Sequence, residues 1–299
     1  MDNSGIGHNA NTYYEDMATN GLDYFSEPSA DKTLSTFVER TYKPINSLTS
    51  EGPIQILIGG KDFKLHTVMS GIRVQGCINV TKLNNQRLDQ DEQISVVNTF
   101  VHSLFDHIKV CVDNIPISDH SRYYQYKSYI QTHYSYSSQW KAINGLADYY
   151  CKDGIVNQSI VNFTEEGLLE RQPAIAESRK MFFCFYPYVD LFSSDCYFPP
   201  NHTLSLEFYR SRDTFSLIAT DTNANYKINF IDFSVKARHV VPNTKLNIEL
   251  ERKLSSNQCH FAFQRTQIKS YQMHAGKIDI SIPNLFTGNF IKMVNLKIF

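Results

Sequence analysis

The sequence predicts an all-β chain folded as a Greek-key barrel or jelly roll, and three observations carry that expectation. Apolar residues recur at period two along most of the chain, the strands they mark are separated by long uneven loops, and no regular strand–helix rhythm demands crossover helices. At 299 residues the chain has room for one β domain of roughly 200–250 residues plus a remainder. Hydrophobic residues make up 42% and charged ones 20%, which is enough apolar area to offset chain entropy over most of the length. The 18 Tyr and 20 Phe, against one Trp, suit half-buried pleated surfaces and large protein interfaces.

Each element follows in order. Residues 1–35 are polar and without periodicity, so a flexible N-terminal arm is expected there. Ile54 to Ile58 reads as a strand stopped by Gly59-Gly60, and Phe63 to Val68 as a second. Ile72, Val74, Ile78 and Val80 then share one face with Gly76, while Arg73, Gln75, Asn79 and Thr81 share the other. Ile108 to Val112 and Ile115 to Ile117 form a hairpin around Asp113-Asn114. Between Ser121 and Tyr134 the spacing lengthens to three and four, which predicts a helix.

Met181 to Val189 is expected as strand, and Leu204, Leu206 and Phe208 face inward from the next one, after a break at Pro199-Pro200-Asn201. Phe215 to Ala219 and Tyr226 to Val241 read as two more. In the latter the apolar phase slips from Ile228 and Phe230 to Ile231, Phe233 and Val235, which predicts a β-bulge near Phe230 to Asp232. Pro242 ends that strand. Asn243 or Thr244 caps a helix with Leu246, Leu250 and Leu254 four apart and Glu249–Lys253 as a supporting pair. Cys259 to Met273, Lys277 to Ile282 and Phe290 to Phe299 are expected as strands.

Several function classes lose support at once. Lys plus Arg is 29 against Asp plus Glu 30, without a basic tail, so direct nucleic-acid binding is not expected. No apolar run approaches the roughly 18 residues of a membrane span, and Met1 to Asn20 lacks the apolar core of a leader, so neither insertion nor secretion is expected. The sequons at Asn79, Asn157, Asn162 and Asn201 count as chance. Cys77, Cys111, Cys151, Cys184, Cys196 and Cys259 include no CxxC pair and read as reduced thiols. Walker, HExxH and GxSxG patterns are absent, and none of the ten histidines has the one-residue spacing of a cupin site.

The chemistry-bearing residues that remain are few. Gly5-Ile6-Gly7-His8-Asn9-Ala10 matches a dinucleotide-loop pattern, but no strand precedes it. His102, Asp106 and His107 would share a helical face, yet a third ligand cannot be named, and they read as hydrogen-bonded or solvated side chains. The tyrosines from Tyr123 to Tyr136 read as packing. Arg210, Arg212 and Asp213 follow the strand of Leu204 to Phe208, where an Arg–Asp pair would lock the loop or meet a neighbouring subunit. No cofactor, metal or catalytic residue is assigned, and no enzymatic activity is expected.

The run Pro53 to Ile58 with Gly59-Gly60, then Val97 to Phe105 leading into Ile108 to Val110, resembles the N-terminal barrel of the capsid proteins of Polinton/Maverick elements and adintoviruses. The resemblance continues through Tyr124 to Ile130, Leu204 to Phe215, Tyr226 to Arg238 and Pro283 to Gly288, so it covers most of residues 36 to 290. It implies a viral-type jelly-roll barrel over 36–242, belonging to a double-jelly-roll protein that forms homotrimeric capsomers within an icosahedral shell. Neighbouring capsid subunits are then the partners, and the virion, assembled in host cytoplasm or nucleus, the location. Family members extend beyond the equivalent of Phe299, so 243–299 is expected to hold a connector helix and the opening strands of an incomplete second jelly roll, with 255–299 the least stable ordered part. The alternatives are a jelly-roll module binding carbohydrate or a receptor through Asn84–Gln93 or Ser135–Gly145, an unrecognised hydrolase or oxygenase on the same scaffold, and a relic of a capsid gene.

Overall fold

The computed structural model describes residues 33–49, 52–117, 123–151, 166–194, 196–220 and 225–257, with 265, 266, 268, 269 and 271. Ten strands lie among them: β1 (Leu34–Tyr42), β2 (Ile54–Gly59), β3 (His66–Lys82), β4 (Ile94–Val96), β5 (Phe105–Val112), β6 (Ile115–Pro116), β7 (Met181–Phe185), β8 (Thr203–Arg210), β9 (Leu217–Ala219) and β10 (Tyr226–Pro242). They form one sheet in the order β1-β10-β3-β7, a second in the order β2-β8-β5-β6, and a β4-β9 ribbon. Every pairing is antiparallel. With the ribbon set aside, the first of the remaining strands pairs with the last (β1 with β10), and the nesting continues as β2 with β8, β3 with β7 and β5 with β6. A long hairpin rolled over on itself gives this order, which is that of a jelly roll. The fold is therefore all-β and jelly-roll, with short helices inserted in its loops.

Alternation on each strand decides what lies between the sheets. From the second sheet, Ile54, Ile56, Ile58, Leu204, Leu206 and Phe208 are buried; from the first, Val74, Ile78, Val80, Phe183, Phe185, Phe233 and Val235 face them. Phe105 of β5 ties the layers together, with ring centroids 5.4 Å from Phe208, 6.0 Å from Phe185 and 5.9 Å from Phe233. The expected bulge is present, as the register of β10 against β3 shifts between Phe230 and Asp232. The extra residue is Ile231, which points outward and is exposed instead of joining the buried set, and Phe233 resumes the inward phase. Asp113 (φ 47°) and Asn114 (φ 69°) form the two-residue hairpin turn, both left-handed as a type I′ turn requires.

Four boundaries differ from the sequence reading. The strands expected at Phe63–Val68 and Ile72–Thr81 are one 17-residue strand, because β10 is equally long and pairs across both, with a register shift at Lys236/Arg238 absorbing the irregularity. Strand β7 ends at Phe185, before Pro187, which has no N–H to give a ladder, and a 3-10 turn follows at Asp190–Ser193. Phe215 lies in a helical turn, Asp213–Ser216, that the buried Ser216 hydroxyl anchors by donating to the Ser103 carbonyl (2.9 Å), so only Leu217–Ala219 is strand. Residues 265, 266, 268, 269 and 271, inside the strand expected from Cys259 to Met273, are not in strand conformation.

The helix expected after Ser121 spans Tyr124–Ser135, and the later one spans Thr244–Ser256, capped by the Asn243 side chain accepting from the Lys245 N–H (3.2 Å). Leu246, Leu250 and Leu254 are half-buried on one face of the latter helix. No described helix is long and apolar enough to cross a membrane. The glycine pattern at Gly5–Ala10, most of the arm, Cys259 and the strands expected after residue 272 lie outside the described residues.

At Gly76 of β3 the neighbouring strands β7 and β10 of the same sheet close in so tightly that a Cβ would sit 2.5 Å from Phe183 Cζ and 2.6 Å from the Asp232 carbonyl oxygen. We expect Gly76→Ala to lower unfolding stability by about 2–3 kcal/mol in urea titrations, because the obstruction is partly backbone. A loss below about 0.5 kcal/mol would mean that the bulge yields freely.

Candidate interaction surface

Arg210, Arg212 and Asp213 sit where β8 passes into the Asp213–Ser216 turn. The Arg210 guanidinium donates to the Leu48 carbonyl and lies 4.5 Å over the Phe230 ring, so it joins the β1–β2 loop to β10. Burial lowers the Arg210 pKa, with the Asp213 charge opposing, while burial raises that of Asp213 against the Ile228 backbone hydrogen bond and the charges of Arg210 and Lys227. Asp213 thus acts on Arg210 through space, whereas the direct contacts of Arg210 go to Leu48 and Phe230. Arg212 is exposed.

The grouping of His102, Asp106 and His107 is taken apart by secondary structure. The helical turn Phe100–Ser103 ends before Asp106, which with His107 belongs to β5. His102 is buried, with Nδ1 2.9 Å from the Tyr124 hydroxyl and Nε2 3.5 Å from the Asp148 carboxylate. His107 instead stacks on Tyr209 at 3.9 Å on the outer face of the second sheet. Among the described residues no three His, Cys, Asp or Glu side chains converge as a metal site. The tyrosines pack against one another and their surroundings: Tyr126 meets Tyr123 and Phe215, and Tyr136 stacks on Trp140 at 3.7 Å. Tyr124 is fully internal, its hydroxyl accepting from the Tyr188 N–H (3.3 Å), and burial raises its pKa well above the ordinary value.

The outer faces of the two sheets differ in kind. On the second, Lys109 pairs with Glu207 (3.3 Å) and the Tyr209 hydroxyl donates to Glu207 (2.8 Å), a polar ladder with its charges matched. The first carries a similar cluster across β1, β10 and β3, where Arg73 holds Glu39 at 2.7 Å and Lys236 stands 3.5 Å from the same carboxylate. Toward the β7 edge it becomes apolar. Phe182 and Tyr186 are 72% and 58% exposed, Cys184 lies exposed between them, and Leu146 is 61% exposed on the turn that follows the Ser138–Ile143 helix. A cleft of about 540 Å³ runs here, lined by Gln75, Cys77, Leu146, Tyr149, Phe182, Cys184 and Asp232 among others. The Cys77 thiol lies on its floor, with burial raising its pKa most. Sequence reading located the strand without identifying this surface. Its signal is Met181-Phe182-Phe183-Cys184-Phe185-Tyr186, an apolar run with no polar alternation, which marks a strand meant to be covered on both faces.

No family model matches the chain, and no curated protein matches it. Among solved structures, it is similar to one described as the Sputnik virophage by cryo-EM, with a TM-score of 0.47 and 11% identity, over 75% of this chain and 52% of that one. It is also similar to PBCV-1 VP54 fitted into a reconstruction of Sputnik (TM-score 0.40, 10% identity, 76% and 47% covered). A third similar structure is a quasi-atomic model of the PBCV-1 virus capsid (TM-score 0.38, 9% identity, 76% and 47% covered). The chain spans about half the length of these structures. At such scores the jelly-roll assignment stands on the strand order and register described above.

Arg210→Lys keeps a charge but loses the planar fork and its stacking on Phe230. We expect it to cost about 1–2 kcal/mol in urea unfolding, and Arg212→Ala to stay within about 0.5 kcal/mol. Equal costs for the two would remove the special position given to Arg210.

Proposed function

We propose that this chain is a structural capsid protein, a subunit of the icosahedral shell of a Polinton/adintovirus-type element, and that it performs no bond-making or bond-breaking chemistry. The observation that carries the reading is the apolar β7 side of the jelly roll, where Phe182, Tyr186 and Leu146 are exposed together beside a cleft, whereas paired charges hold the strands at Lys109–Glu207 and Arg73–Glu39. Phe182 and Tyr186 are too exposed to contribute to the monomer's core, and they have the large, stiff aromatic character of interface anchors. The ordered series of motifs from Pro53 to Arg238, which resembles the first barrel of that family's capsid proteins, supports the same reading.

The mechanism is lateral association. A stable contact buries about 800 Å² on each partner around a few desolvated anchors, and Phe182, Tyr186 and Leu146 supply such a group beside a cleft able to receive a neighbouring side chain. The partners are copies of this chain, grouped as homotrimeric capsomers, and neighbouring shell subunits; the location is the virion. Arg212, exposed at the opposite end of β8 from the hairpin turn, and the Arg210–Asp213 corner beside it are available to a neighbour as polar rim groups.

Light scattering followed by electron microscopy tests the reading on the full chain. Trimers or sheets of capsomers are expected from the wild type. The double variant Phe182→Ser/Tyr186→Ser should remain monomeric while its unfolding free energy stays within about 0.5 kcal/mol, since exposed side chains away from special features contribute little to folding. A wild type that is monomeric at every concentration, or a double variant that assembles as the wild type does, would overturn it.

A further inference from the structure

The edge strand β1 is held to the barrel by an unusual contact. It pairs with β10 alone, and of its nine residues only Leu34, Val38 and Tyr42 are even half-buried. On its inward face Val38, Arg40 and Tyr42 lie opposite His239, Ala237 and Val235 of β10. His239 is fully buried, with Nε2 2.9 Å from the Tyr42 hydroxyl and Nδ1 3.0 Å from the Thr67 hydroxyl of β3. The edge of Phe63 closes the pocket at 4.9 Å between centroids, and the Arg40 guanidinium lies 5.2 Å over that same Phe63 ring.

A neutral imidazole is satisfied here in either tautomer, because each hydroxyl can donate or accept. A protonated one keeps both hydrogen bonds as donor, but among the described residues its charge meets no carboxylate. The charge acting on it from β1 is that of Arg40; β3 presents the Thr67 hydroxyl, and the loop before β3 presents Phe63. Glu39 lies on the outer face of the sheet and is bound to Arg73 and Lys236, and Arg238 stands opposite Glu39 on that same face. His66, buried with Nε2 lacking a hydrogen-bond partner, pairs in register with Val240, one position on, and Glu251 of the Thr244–Ser256 helix acts on it.

We propose that His239 is an acid-sensitive latch for β1: its protonation sets a buried cation against Arg40 and releases the strand from β10. This goes beyond the assembly proposed above and does not depend on it. With β1 docked, burial first and Arg40 second hold the imidazole down to about 4 from its ordinary 6.5. The docked state therefore binds fewer protons than the released one, so its advantage is whole above the ordinary value and shrinks up to tenfold per pH unit as the pH falls toward the docked value. Glu39, whose pKa is lowered chiefly by its hydrogen bond to Arg73, keeps its charge through most of that window and does not reproduce the response.

Hydrogen exchange followed by mass spectrometry on the full chain, corrected for intrinsic exchange at each pH, tests the latch. Between about pH 7 and pH 4.5, opening of residues 34–42 should rise on the order of 50-fold relative to residues 204–208. His239→Gln should abolish the rise, and His66→Gln should leave it intact. Arg40→Gln, which removes the repulsion without touching the ring, should shrink it, and this variant carries the test if His239→Gln does not fold. Protection of 34–42 that follows the core at both pH values, or a rise that survives in His239→Gln or is undiminished in Arg40→Gln, would overturn the proposal.

Discussion

Phe105, Phe208, Phe185 and Phe233 form the contact on which the sandwich depends, because two rings come from each sheet and no backbone hydrogen bond joins the layers there. Phe208 and Phe233 meet edge to face at 5.1 Å, and Phe105 touches the other three. Fully burying a phenylalanine contributes about 1.5–3 kcal/mol, and favourable ring geometry about 0.5–1.5 kcal/mol more per pair. Jelly-roll pairing alone would allow the two sheets to slide. The rings fix their separation and register, and each strand must deliver its ring at the right phase.

That demand accounts for the irregularities. Strand β10 has to follow β3 for its whole length and still turn Phe233 inward, so it inserts Ile231 on the outside. The insertion brings the Asp232 carbonyl over Gly76, where only a residue without Cβ leaves space for Phe183 to lie beneath. Bulge, glycine and ring thus form one packing unit, in which a change to any member displaces the other two.

Much of this was legible in the sequence, for identifiable reasons. The slip in apolar phase from Phe230 to Phe233 reports the bulge because period-two burial permits no other repair, and Asp113-Asn114 reports its turn because few residue pairs accept two left-handed conformations. The extent of β3 was not legible, since a strand's length depends on its partner and β10 lies more than 140 residues further along. Nor was the turn at Phe215, whose helical start is set by a tertiary bond from Ser216 to Ser103. His102 and His107 are close in sequence and looked alike, yet one is sealed beneath Tyr124 and the other stacks outside on Tyr209, because the chain changes from helix to strand between them.

The two edges of the first sheet resolve the same physical problem in opposite ways. An open edge exposes unpaired backbone groups and invites other strands, and a protein answers with charge, brevity or cover. At β1 the answer is mostly polarity, with Glu39 and Arg40 on the strand beside an exposed Phe37 and few of its side chains buried. At β7 the strand is short but its outer side chains are aromatic, and Tyr149 reaches only one of its carbonyls, that of Phe182, at 3.4 Å. A surface of that kind costs solubility in a free monomer and is stabilised when a partner covers it. The two edges of one sheet thus carry opposite surfaces, one polar and thinly packed, the other apolar and suited to being covered.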